Sequence, residues 1–233
     1  MNTILLNAHQ RTGQHWIVFV LANYHKILTE NISKPLGWEI AGTFMMFSGK
    51  KMNQIIQRGF LLPDDFPHSY PLVFRSEASW DETKKFNLFH EMFDKKVYLT
   101  RNALDTFISM FYYYKKVNHP RKRETILELF MDFLPYYIEH NEKGMKNADL
   151  ILKYEEMKEN PNIMKKLLSL IYPKIDEEIF KKALEFGGFD SIHEIQPEHA
   201  RSGKVGQYKK EIPEHQLEYL ISIIPKKFLP KNI

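Results

Sequence analysis

Four short β-favouring runs stand far apart in this chain: TILL at 3–6, LVF at 72–74, VYLT at 97–100 and LILKY at 150–154. Hairpin strands are joined by a few residues, whereas parallel neighbours need a crossover of a dozen or more. Every interval here exceeds that crossover length. The runs therefore predict an α/β fold, a parallel central sheet flanked by helices and built from right-handed βαβ units.

The helical segments fit that frame. Trp16, Val20, Tyr24 and Ile27 recur at helical spacing over 15–28, directly after the first run. Asp105 reads as the N-cap of TFISMFYYYKK, and Ile126, Leu129, Phe130, Phe133 and Tyr136 share one face of a helix near 125–140. Residues 162–171 and 214–224 also read as helical. Residues 35–70 carry Trp38, Phe44, Met45, Met46, Phe47, Phe60 and Phe66 among Gly, Pro and Asp without a clean period, which predicts irregular loops with short helices. No repeat or Pro/Gly/Ser-rich linker divides the 233 residues, so the expectation is one domain over 1–233, with 43% hydrophobic residues supplying its core.

Composition narrows the class further. The longest apolar run, WIVFVLA, falls far short of the roughly 20 residues a membrane helix needs, and no basic stretch precedes a signal-type segment. A soluble, cytoplasmic protein is expected. There is no cysteine, which removes disulfides, thiolate catalysis and cysteine metal sites together. The ten histidines form no H-x-x-x-H or H-E-x-x-H pair, so no metal is expected. A net charge of +4 comes from mixed charges without a dense basic stripe, which argues against nucleic acid as a partner.

Ligands of open α/β sheets bind beyond the carboxyl ends of the strands, where a helix start offers free N–H groups and a positive dipole end. HQRTGQHW (9–16) lies at such a place: Arg11 adds a forked cationic contact, Thr12 a hydroxyl, and Gly13 lets backbone approach closely. It is not the G-x-x-x-x-G-K-[ST] loop of nucleotidases, having one glycine and no lysine. Three later segments share its character. In YLTRNALDTFIS, Arg101 ends a strand and Ser109 falls about one turn into the next helix; LILKYEEMKENP puts Tyr154 at a strand exit; ARSGKVGQYKK is a basic loop with two glycines. Taken singly, each also has a plainer reading: an exposed Arg and a surface Ser, a core tyrosine followed by the solvated acidic start of a helix, and a basic surface loop.

Taken in order, QRTGQHW (10–16), RNALDTFIS (101–109), YEEMKENP (154–161) and RSGKVGQYKK (201–210) resemble the cytosolic-type sulfotransferases that use 3′-phosphoadenosine 5′-phosphosulfate, PAPS. Members of that family typically read PKSGTTW, RNPKDVAVS, YEDMKENP and RKGxxGDWKN at these places. The resemblance runs from about residue 3 to residue 210 and implies the P-loop-like sulfotransferase fold, in a compact member without an N-terminal extension. It implies that Arg11, Thr12, Gly13, Gln14 and His15 surround the 5′-phosphosulfate, with Trp16 against the adenine. Arg101 and Ser109 would hold the 3′-phosphate, joined by Arg201, Ser202 and Gly203. Tyr154 would contact the base from one side and Phe189 from the other, with PAP as the nucleotide product.

Two departures touch the chemistry. Sulfuryl transfer needs a base for the acceptor hydroxyl and cations for the departing phosphate, a problem of positioning and electrostatics like that of phosphoryl transfer. The family's usual lysine is replaced by Arg11, which stabilises a leaving group by charge rather than by proton donation. The usual histidine of a K-[ST]-H segment is replaced in Arg75-Ser76-Glu77, making Glu77 the expected base, with His68 and His90 in reserve. Ala103 stands where proline is usual, a change expected only to loosen a loop. Acceptor contacts are expected from 36–70, from 112–123 and from the C-terminal tail. Their aromatic and Met content favours a small, partly apolar alcohol or phenol, while Arg121, Lys122 and Arg123 would suit an anionic one. Two rivals remain at this level: a kinase-like nucleotide-dependent phosphotransferase, and a non-catalytic nucleotide-binding module of the same fold.

Overall fold

The structure is a computed structural model that describes residues 3–36, 73–77, 93–195, 203–231 and 233. Its sheet holds four parallel strands, β1 (Ile4–Ala8), β2 (Val73–Ser76), β3 (Lys95–Thr100) and β4 (Leu150–Lys153), in the order β2-β1-β3-β4. Each lies over or beside its predicted run. In β1, ILLNA is buried at every position, as a central parallel strand covered on both faces must be. The register sets Ile4 opposite Val73 on one side and Lys95 on the other. β3 in turn aligns Val97 with Leu150.

This strand order creates a switch point. The chain leaves β1 for β2 on one side and returns across β1 to β3 on the other, so the crevice beyond the carboxyl ends of β1 and β3 is where such sheets bind ligands. The loops carrying Arg11 and Arg101 open at that crevice.

Helix α1 (Gln14–Glu30) buries Ile17, Val20, Tyr24 and Ile27 against the sheet and against a later helix, Glu177–Phe186. Helices α2 (Ala103–Lys116) and α3 (Ile126–Asn147) build a second cluster with Phe107, Phe111, Phe130 and Tyr137, to which Tyr208, Leu220 and Phe228 add from the C-terminal part. Thr125 and Glu128 form a reciprocal capping box at the start of α3.

The expected cap of α2 is corrected. Asn102, not Asp105, is the N-cap: its side-chain oxygen accepts the Asp105 N–H at 2.8 Å, so the helix begins at Ala103 and Asp105 lies inside its first turn. Residues 162–171 likewise divide into a 3₁₀ turn, Pro161–Met164, and a short helix, Lys165–Leu168. The helix expected at 214–224 is Glu214–Ile223. The irregular region expected at 35–70 falls almost wholly outside the described residues.

Gly144 marks where α3 meets the sheet. A Cβ built there would lie 2.0 Å from the Tyr98 ring, and the Tyr98 hydroxyl is tied to His140 Nδ1 at 2.7 Å, so the ring has little room to yield. Gly144→Ala should therefore cost about 1–3 kcal/mol and lower the unfolding midpoint by several degrees, measured by thermal denaturation. An unchanged midpoint would mean that the helix shifts freely.

Candidate functional site

The loop after β1 is shaped by two left-handed residues, Arg11 (φ 64°) and Gly13 (φ 96°). A Cβ on Gly13 would meet Tyr154 Cδ2 at 2.4 Å, so both the backbone angle and the ring above it require glycine. Gly13 caps α1 without a side-chain hydrogen bond. The Trp16 N–H donates to the Gly13 carbonyl at 3.1 Å, and Gln14 and His15, at the positive end of the helix, line the crevice.

Thr12 turns away from it. The residue is 0% exposed and its hydroxyl donates to the His9 carbonyl at 2.8 Å, so the hydroxyl predicted for an anion instead braces the loop. Gln14 is also braced: its amide donates to the Leu6 carbonyl at 3.4 Å and accepts from Arg75 Nε at 2.9 Å.

Around this loop lies a cavity of about 220 Å³ that Arg11, Gly13, Gln14, His15, Trp16, Glu77, Arg101, Ser109, Tyr154, Phe189 and Gly203 all line. Residues predicted from segments up to about 190 positions apart are thereby brought together. Arg201, Ser202, His68 and His90 lie outside the described residues.

At one end of the cavity, Trp16 and Tyr154 meet edge to face at 5.9 Å, and Phe189 lies against Gly203, where a Cβ would come within 2.5 Å of the ring. These rings make an apolar slot fit for a planar group. Next to it sits Arg101, only 9% exposed, with its guanidinium 4.4 Å from the Tyr154 ring centre. Its two terminal nitrogens donate to backbone carbonyls, Arg11 O at 3.3 Å and Lys204 O at 3.2 Å, while its Nε is buried with no partner. Among the described residues no carboxylate forms an ion pair with it, and a buried guanidinium left so is costly unless an anion joins it.

Towards the other end, Arg11 Nε donates to Ser109 Oγ at 3.2 Å and its guanidinium lies 4.4 Å from the Tyr113 ring centre. Ser109 is in the second turn of α2 rather than the first. Burial, aided by the like charge of Arg101, brings the Arg11 guanidinium down to about 10, against the pull of Tyr113 and Glu77. It remains a cation at neutral pH, in surroundings that an incoming anion would improve. Glu77 is paired with Arg75, whose Nη1 is 2.9 Å from His15 Nε2. A guanidinium only donates, so His15 Nε2 accepts and a neutral His15 carries its proton on Nδ1.

Several participants escaped the sequence reading. Arg75 precedes Glu77 by two residues on a strand, hence on the same face, and this period was the available signal. Lys158 follows Tyr154 by one helical turn and lies 5.1 Å from the Trp16 ring centre. Asp105, 1% exposed, accepts the N–H groups of Gly206 at 2.8 Å and Gln207 at 2.9 Å, pinning the late loop across the cavity. Tyr154 helps by donating to the Gly203 carbonyl at 3.1 Å. Glu155, read as part of a solvated helix start, instead accepts from the Asn102 backbone at 2.9 Å and so ties β4 to the β3–α2 corner.

A family model described as a sulfotransferase domain matches residues 86–229, well over half of the chain. The chain belongs to the sulfotransferase family. Within the match fall Arg101, Ser109, Tyr154, Phe189 and Gly203 of the site. Two curated relatives bear the name sulfotransferase 1 family member D1. The mouse protein is 36% identical over 111 residues, covering 43% of this chain and 38% of its own. The rat protein is 34% identical over 106 residues, covering 41% and 36%. The matched stretch thus spans less than half the length of either relative. Among solved structures, mouse sulfotransferase SULT7A1 complexed with PAP superposes with a TM-score of 0.69 at 18% identity, over 95% of this chain and 82% of that one. Retinol dehydratase in complex with androsterone and PAP gives 0.64 at 15% identity, over 94% and 78%. At those identities the likeness is one of fold. No helix among the described residues is long and apolar enough to cross a membrane.

Proposed function

We propose that this sulfotransferase-family protein, acting as one domain in the cytoplasm, transfers the sulfuryl group of PAPS to a hydroxyl or amine of a small organic acceptor. The observation that carries the reading is Arg101, a buried cation with an unpartnered Nε beside an aromatic slot. A nucleotide with a 3′-phosphate next to its base has the matching shape and charge. PAP as the ligand named for the mouse fold relative, and androsterone as a small hydroxyl compound bound by the other, support the same assignment.

Each residue then has a role. Trp16, Tyr154 and Phe189 enclose the base. Arg101 holds the 3′-phosphate, with Ser109 and the late-loop residues Arg201, Ser202 and Gly203 around it. The first-turn N–H groups of α1 and the side chains of Arg11, Gln14 and His15 line the place of the 5′-phosphosulfate, with Thr12 keeping the loop in form. The bound nucleotide supplies an activated sulfuryl group. Glu77 accepts the proton that the acceptor hydroxyl loses as its oxygen–sulfur bond forms. The bond from sulfur to the bridging oxygen breaks, its electron pair stays on the phosphate, and Arg11 stabilises that charge.

Thermal unfolding with adenosine 3′,5′-bisphosphate, against ADP, AMP and ATP with magnesium, tests the reading. At about 100 times its dissociation constant, the preferred ligand should stabilise the fold by roughly 2.7 kcal/mol. Selective stabilisation by the 3′,5′-bisphosphate is expected. A preference for ATP with magnesium would point to a phosphotransferase, and no stabilisation by any of them would remove the nucleotide from the account.

A further inference from the structure

We propose that His140 is a positioning residue of the transfer centre: it holds the main chain of Glu77 and so fixes where the base meets the acceptor. This role rests on the reading of Glu77 as base and adds to it a residue from outside every motif of the site.

Glu77 stands at the edge of the sheet. Among the described residues β2 pairs with β1 alone, and its last register pair is Ser76 with Asn7, so Glu77 projects one residue beyond the ladder. Its side chain lines the cavity and pairs with Arg75. A carboxylate is placed no better than the peptide that carries it, and a displacement of about 1 Å at a reacting group can cost about a hundredfold in rate. Something other than the ladder has to hold this peptide.

His140 reaches it from α3. The residue is 1% exposed, and its Nε2 lies 3.4 Å from the Glu77 carbonyl oxygen. Its other ring nitrogen, Nδ1, is the one tied to the Tyr98 hydroxyl on β3 at 2.7 Å. A carbonyl only accepts, so Nε2 carries the ring proton. In the neutral imidazole Nδ1 is then the acceptor, and the Tyr98 hydroxyl donates to it. Burial pushes the Tyr98 phenol well above its ordinary value, so this donor keeps its proton at neutral pH. The direction of both bonds is thereby set, from Tyr98 to His140 and from His140 to Glu77.

The ring is also hemmed in. His9, just past the end of β1, meets it edge to face at 5.4 Å, and Tyr136, one turn earlier on α3, does so at 5.8 Å. Gly144, one turn later, admits the Tyr98 ring against the helix. His140 therefore spans from β3 past the end of β1 to β2, across the switch point, and joins the base to the centre of the sheet.

Two substitutions separate the two bonds, because the amide of asparagine falls near the place of Nδ1 and that of glutamine near the place of Nε2. His140→Asn keeps a partner for Tyr98 and loses the contact to Glu77, whereas His140→Gln keeps a donor for Glu77 and loses Tyr98. With PAPS and a competent acceptor, His140→Asn is expected to lower kcat about 10- to 100-fold and leave the affinity for adenosine 3′,5′-bisphosphate unchanged, and His140→Gln to retain most of the parent kcat. In a Glu77→Gln background, His140→Asn should cause little further loss, since it acts through a base already removed. Equal losses in the two single variants, or losses that multiply in the double variant, would overturn the proposal, because core packing alone produces that pattern. Nitrogen-15 NMR of labelled histidine in the intact parent protein needs no acceptor and no variant: the His140 ring is expected to be protonated at Nε2, and protonation at Nδ1 would overturn the proposal as well. Undiminished turnover in Glu77→Gln alone would instead mark failure of Glu77 as base, and failure to bind the bisphosphate would mark failure of the sulfuryl-transfer reading itself.

Discussion

Replacing Glu77 by glutamine should lower kcat by about 10²- to 10⁴-fold, the usual effect of removing a general base. The affinity for adenosine 3′,5′-bisphosphate should stay close to that of the parent. Glutamine has nearly the same shape, and its amide oxygen can still accept from Arg75, so the Arg75 contacts to Gln14 and His15 remain in place. What disappears is the carboxylate that takes up the acceptor proton. Steady-state kinetics with PAPS and any competent acceptor, paired with calorimetric titration of the bisphosphate, separates the two quantities. Undiminished turnover would remove Glu77 from the role of base. A parallel fall in nucleotide affinity would mean that Glu77 shapes the phosphosulfate loop through Arg75 rather than acting on the acceptor.

Arg101→Ala should act in the opposite way, weakening bisphosphate binding by about 10- to 150-fold, the range expected from losing charge-assisted hydrogen bonds worth about 1.5–3 kcal/mol. The stability of the unliganded protein should change far less. Loss of the Tyr154 stacking and of two carbonyl contacts opposes the relief of a buried charge that lies near Arg11. Titration of the variant, with thermal unfolding lacking ligand as the control, reads both. Arg101→Lys should bind with intermediate affinity, because it keeps the charge but not the planar fork. Retained affinity in Arg101→Ala would detach the nucleotide from the aromatic slot.

The parts of this architecture that were visible in the sequence are those set by local rules. Parallel strands far apart in the chain and the apolar face of α1 follow from spacing alone, and the segments holding Arg11, Arg101, Tyr154 and Gly203 follow from motif resemblance. Contacts that depend on distant partners were not visible. RNALD offers two residues able to cap α2, and only the fold shows that Asp105 is engaged by Gly206 and Gln207, about a hundred positions away, which leaves the cap to Asn102. The Thr12 hydroxyl was read as a ligand contact because a loop sequence does not reveal that the His9 carbonyl is within reach. Lys158 and Arg75 were within reach of simple periodicity, one helical turn from Tyr154 and one strand repeat from Glu77.

The site stands on a seam. Arg11 hangs from β1, whose helix α1 belongs to one buried cluster, while Arg101 hangs from β3, whose helix α2 belongs to the other. Neither packing unit owns the cavity. The separation of the two guanidiniums is therefore set by how both halves rest on a shared pair of strands, and a disturbance of either half is felt at the site as a change of spacing before it is felt as unfolding.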